Sequence, residues 1–93
     1  MNKLKRQEQK LEDNGYDLED LDVLLIDDDC YCDSLVGLTD DNRAVYDEDM
    51  MVEEFAEYNK CSHEEALEFI EYNVLRALPY YYEKAPIIFR RLE

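Results

Sequence analysis

The sequence predicts an α+β fold. The expected core is a three-stranded antiparallel sheet, a hairpin plus a C-terminal strand, packed by a helical hairpin and preceded by an N-terminal helical extension. Three observations predict it. Leu35-Val36-Gly37-Leu38-Thr39 and Ala44-Val45-Tyr46 flank the polar turn Asp40-Asp41-Asn42-Arg43, as a β-hairpin requires. Two amphipathic stretches, Glu48–Asn59 and His63–Leu78, follow, joined by Lys60-Cys61-Ser62. The chain then returns to β character at Ile87-Ile88-Phe89, with Pro86 suited to the first position of an edge strand. These elements divide the 93 residues into an extension with an acidic loop, 1–33, and a ββααβ core domain, 34–93. That length supports a single hydrophobic core.

Taken in order, residues 1–13 are strong helix formers, with Leu4 and Leu11 seven apart on one face and Asn14-Gly15 as a C-terminal stop. So few apolar residues predict a marginal helix, a solvated basic arm docked at most by two leucines. Residues 16–29 read as a short amphipathic helix capped by Asp17 and carrying Leu18, Leu21, Leu24 and Leu25; a buried strand over Val23–Ile26 is the alternative. Asp47 is the expected N-cap of the first central helix, whose apolar stripe is Met51, Phe55 and Tyr58, with Val52 alongside. Ser62-His63-Glu64-Glu65 spells the capping box of the second, with Ala66, Leu67, Ile70, Val74 and Ala77 facing the core. Pro79 is expected to stop that helix at Leu78, because proline has no N–H to donate and disfavours the α region before it.

Charge is the most unusual bulk property. The formal net charge is −15, and more than the whole excess lies between residues 11 and 75, where Arg43 and Lys60 are the only Lys or Arg residues. The first ten residues and the last eighteen are each slightly basic. A field of this sign repels nucleic acid and anionic membranes, and it steers basic partners inward. On the central helices the acids fall on one side: Asp49, Glu53, Glu54 and Glu57 on the first, Glu64, Glu65, Glu68 and Glu71 on the second, with Tyr72 at the margin. Residues four apart rise only about 6 Å along a helix, so these carboxylates form closely spaced rows.

Several chemistries are disfavoured. No stretch approaches the roughly 20 apolar residues that span a bilayer, and no apolar region follows the N-terminus as in a signal peptide. Three cysteines argue against a disulfide framework and for a reducing, cytoplasmic setting. Cys30, Cys32, Cys61 and His63 carry the residue types of a zinc site, but each pair is separated by one residue where zinc sites leave two or more. Reduced thiols and no bound metal are therefore expected. Asp27-Asp28-Asp29 lacks the D-x-D-x-D-G order of a calcium loop. With two glycines there is no phosphate loop, and with one histidine at a helix start no catalytic dyad suggests itself. No enzymatic activity and no cofactor are expected.

The residues Val45-Tyr46-Asp47, Met51-Val52-Glu53, Glu64-Glu65-Ala66 and Phe69-Ile70-Glu71-Tyr72-Asn73, followed by Arg76-Ala77-Leu78-Pro79-Tyr80 and Ala85-Pro86-Ile87-Ile88, form a pattern. In it the chain resembles a group of small uncharacterised acidic proteins encoded by tailed phages and prophages. The resemblance covers about residues 34–89 and implies a mobile-element origin and the cytoplasm of an infected host. It implies no catalytic residues.

Two non-enzymatic functions fit these readings. In the first, the chain is an anti-defence inhibitor, anti-CRISPR-like or anti-restriction. It would present its carboxylate rows to the basic nucleic-acid groove of a host nuclease in place of phosphates. In the second, it is an assembly or accessory module that binds a phage protein or a second copy of itself. Its anchors would then be Tyr72, Tyr80 and Tyr82 and the edge strand Ile87-Ile88-Phe89.

Overall fold

The computed structural model describes residues 5–18, 20–26 and 29–92. Leu4, Asp27 and Asp28 lie outside the described residues. The α+β class is as predicted, but the sheet is mixed.

Strands β1 (Leu35–Leu38) and β2 (Ala44–Asp47) form the expected antiparallel hairpin, with Leu35 opposite Tyr46 and Leu38 opposite Ala44. Its turn has a clear local cause. The Asn42 N–H donates to the Thr39 carbonyl at 2.9 Å, and the Thr39 N–H donates to the Arg43 carbonyl at 2.9 Å. Asn42 sits at φ 62°. A turn followed by one left-handed residue is a common three-residue hairpin loop, and asparagine tolerates that conformation better than most residues. The Thr39 hydroxyl donates to the Asp41 carboxylate and accepts the Arg43 N–H. The bond from Thr39 holds the Asp41 carboxyl below its ordinary range.

Helix α1 (Lys5–Asp13) ends as Asn14-Gly15 predicts. The Gly15 N–H bonds to the Glu12 carbonyl and the Tyr16 N–H to the Leu11 carbonyl, with Gly15 at φ 91°. This pair of bonds is the Schellman closure, and it needs the left-handed backbone that glycine supplies. The solvated arm, however, is not what forms. Leu11 is buried, and Gln7 is completely so. The Gln7 side chain donates to the Ile26 carbonyl at 2.8 Å and accepts the Tyr46 hydroxyl. That hydroxyl in turn accepts the Ile26 N–H at 3.0 Å. Lys10 donates to the Cys32 carbonyl at 2.9 Å. A polar network docks this helix where two leucines alone would not.

Among the described residues of 16–29 the expected helix does not form. A turn is present at Asp17, residues 21–26 are irregular, and a short 3₁₀ turn spans Asp29–Tyr31. Leu25 and Ile26 are both buried. Both backbone groups of Ile26 are satisfied by Tyr46 and Gln7, so the segment meets its hydrogen-bonding requirement through tertiary partners and not a helical ladder.

Helix α2 (Glu48–Asn59) is capped by Asp47, which accepts the N–H groups of Asp49 and Met50. It ends on Lys60 at φ 53°. Met51 and Phe55 face the core as expected, whereas Tyr58 is 62% exposed and Ala56 is buried in its stead. Helix α3 (His63–Phe69) opens with the predicted capping box between Ser62 and Glu65. Phe55 and Phe69 stack with ring centroids 4.4 Å apart, joining the two helices. The expected stop at Leu78 is not where the winding ends. After Phe69 the helix widens to a π turn, Ile70–Val74, then tightens to a 3₁₀ segment, Leu75–Lys84, that contains Pro79. Proline's fixed φ lies within the 3₁₀ range, so the ring is tolerated there at the loss of one bond.

The third strand corrects the antiparallel expectation. β3 (Ile87–Phe89) pairs with β2 in parallel, Val45 beside Ile87 and Asp47 beside Phe89. Two contacts explain the direction. Lys84 donates to the Asp41 carbonyl at 2.8 Å, and the Arg43 Nε donates to the Ala85 carbonyl at 2.8 Å. The helical pair thus returns the chain to the hairpin turn, where β2 begins, and β3 must run alongside β2 in the same sense. Crossover connections of this length make parallel pairs, while short turns make antiparallel ones. The core gathers residues from every region: Leu11, Ile26 and Tyr31 pack in one cluster with Tyr46, Met51 and Ile70.

Candidate acidic interaction face

β2 runs into α2 without a linker, so the first turn of α2 lies at the end of the sheet where β3 also finishes. The residues after β3 therefore arrive at the N-terminus of α2. Arg90 Nε meets both carboxylate oxygens of Glu48 at 3.1 and 3.2 Å. Arg91 Nε lies 2.9 Å from Asp47 Oδ2 and 3.7 Å from Asp49 Oδ2. Asp47 and Glu48 are both buried. A carboxylate taken out of water needs such a partner, and these two have one.

Beside this cluster lies an open groove of about 720 Å³. Val52 from α2 and Leu67 from α3 supply its apolar surface. Asp49 and Glu53 from α2, His63 and Glu64 from α3, and Arg91 and Leu92 from the residues after β3 also line it.

The predicted acids are thus divided. Asp49, Glu53 and Glu64 are brought together on this groove. Glu57 continues the α2 row but borders a second, shallower hollow of about 310 Å³ with Arg6, Asp33 and Tyr58. Glu68 and Glu71 are exposed and border neither concavity. Tyr72 is 66% exposed, with the Arg76 guanidinium 4.6 Å above its ring, and Tyr80 is 80% exposed. The side chain of Tyr82 lies outside the described residues.

Glu54 has a different task from the one expected. It is half-buried, and its two oxygens accept the N–H groups of Asp33 at 2.9 Å and of Ser34 at 2.6 Å. It therefore ties α2 to the entrance of β1, and it also borders the hollow beside Glu57. Glu54→Ala is expected to destabilise the fold by about 1–3 kcal/mol, the usual cost of stranding such donors. Urea denaturation of the variant checks this, and an unchanged midpoint would show that water replaces the carboxylate.

Sequence reasoning left out His63, Arg91 and Leu92 as groove residues. Arg91 was visible as part of a basic C-terminal segment, but its landing place depends on the direction of β3. The cysteines form no disulfide. Burial pushes the Cys32 thiol up, with Arg6 and Lys10 opposing, and its sulfur lies 3.6 Å from the Arg6 carbonyl. Among the described residues, no group of three or more histidine, cysteine, aspartate or glutamate side chains is arranged to hold a metal ion. Nor is any described helix long and apolar enough to cross a membrane.

No protein-family model matches the chain, and comparison with curated proteins and with solved structures returns no match.

Proposed function

We propose that this chain is a non-enzymatic accessory protein of phage or prophage origin that acts in the cytoplasm of an infected host. It binds the basic, nucleic-acid-binding surface of a host defence protein such as a nuclease, and so keeps nucleic acid out. The observation that carries this reading is the convergence of Asp49, Glu53 and Glu64, from two different helices, on one apolar-based groove. The helices fix the backbone positions of these acids before binding, which lowers the ordering cost of association. A groove evolved for phosphates accepts such an array because most of its affinity for nucleic acid is independent of sequence.

The second reading, a tyrosine-anchored interaction module or homodimer, is favoured by the exposure of Phe69, Tyr72 and Tyr80 along the path from α3 into the 3₁₀ segment. Salt separates the two. At 1 M ionic strength the Debye length shrinks to about 3 Å, from about 10 Å at 0.1 M. Affinity capture from infected host lysate at low salt should retain a nucleic-acid-binding protein that high salt releases. A partner that survives the high-salt wash would favour the tyrosine surface.

A further inference from the structure

We propose that the groove between α2 and α3 is a seat for an arginine side chain of the partner, and that Glu53 and Glu64 are the carboxylates that receive it. The inference rests on the reading above and adds the chemistry of the contact. The groove is not simply a concentration of acids. Val52 and Leu67 offer an apolar surface beside its acids, and the volume of about 720 Å³ leaves room for a long side chain. This combination suits a cation carried on an aliphatic stem, which covers apolar surface while its charged head stays among oxygens.

The occupied part of the same groove indicates which cation. There Arg91 lies between Asp47 and Asp49, 2.9 and 3.7 Å from their oxygens, while Arg90 binds both oxygens of Glu48 in the adjoining turn. The chain's own two guanidinium groups thus offset two of the three negative charges at the start of α2, with Asp49 the more distant partner of Arg91. Glu53 from α2 and Glu64 from α3 are exposed and line the same groove. A planar guanidinium can donate to two carboxylates at once, whereas an ammonium acts as a compact, strongly hydrated point charge. A partner segment carrying an arginine therefore meets carboxylates, the same kind of group that Arg91 already pairs with at Asp47 and Asp49.

The test uses the full chain and two short peptides, alike except that one carries arginine and the other lysine at two positions. Binding is followed by titration calorimetry and by backbone amide shifts. The arginine peptide should bind the more tightly, and the largest shifts should fall on Val52, Glu53, Glu64 and Leu67. Glu53→Gln and Glu64→Gln should each weaken it about fivefold, the equivalent of about 1 kcal/mol for a charge pair at the upper end of the exposed range. Glu57→Gln and Glu68→Gln, also exposed, should have less than half that effect. All four variants should melt as the parent does, since none of these side chains is buried.

Equal losses for all four variants, or shifts spread over every acidic segment, would overturn the arginine seat while leaving the wider proposal of a basic partner standing. Equal affinity for the lysine peptide would likewise overturn it. Failure of both peptides to bind at low salt would remove the seat and the wider proposal together.

Discussion

Reversing the charge at Glu53, Glu57, Glu64 and Glu68 together is expected to weaken binding to a basic partner by roughly 100-fold at low salt, the scale set by several charge contacts turned from attractive to repulsive. The loss should shrink as salt rises, because exposed charges are screened over about a Debye length. All four side chains are exposed and none accepts a backbone donor that the fold relies on. Folding should therefore be retained. The pairs 53/57 and 64/68 remain like charges four residues apart after reversal, so this repulsion within each helix should be little changed. Tyr80→Ala, by contrast, should change affinity less than about threefold, since an isolated side chain at the edge of a contact contributes little. Calorimetry with the captured partner at two salt concentrations checks both statements. If Tyr80→Ala proves the more damaging, the interface lies on the tyrosine surface and the acidic groove is incidental to it.

The second large effect concerns the fold. Tyr46→Phe is expected to destabilise the chain by about 1–3 kcal/mol, the cost of leaving buried polar groups without partners. The hydroxyl it removes accepts the Ile26 N–H and donates to Gln7, and all three residues are buried. Gln7→Ala should cost at least as much, since the Ile26 carbonyl then also loses the bond it accepts from Gln7. Because α1, the irregular segment and β2 share this network, either variant should shift one cooperative transition and should not melt the N-terminal segment separately. Thermal unfolding followed by far-ultraviolet circular dichroism and by tyrosine fluorescence tests that. Non-coincident transitions would show that residues 1–33 unfold as a separate unit.

How the two halves meet was hard to read from sequence for a physical reason. The docking of α1 depends on one glutamine, and a buried glutamine is indistinguishable in sequence from an exposed one. Its partners, Ile26 and Tyr46, lie 19 and 39 residues away. The segment 16–26 misled in the same way. Its leucines have helical spacing, but the backbone of Ile26 is claimed by side chains that no local pattern reveals. Glu54 belongs with these. Its neighbours Glu53 and Glu57 are solvated, and only the approach of Asp33 and Ser34 turns the carboxylate at 54 into a structural acceptor.

Local interactions, in contrast, were legible because their partners lie a few residues apart. The Asp47 cap, the Ser62–Glu65 capping box, the Gly15 stop and the 35–46 hairpin all follow from residue type and spacing. So did the acidic sides of the two helices, since periodicity alone puts Glu53 beside Glu57 and Glu64 beside Glu68. Tertiary structure decided the direction of β3, and the groove follows from that direction. A strand of three residues has no polarity written in it. Only the return of the helical pair to Arg43 fixed it as parallel and delivered Arg90 and Arg91 to the start of α2. An antiparallel strand would have carried both arginines to the hairpin turn and left Asp47 and Glu48 buried without a counter-charge.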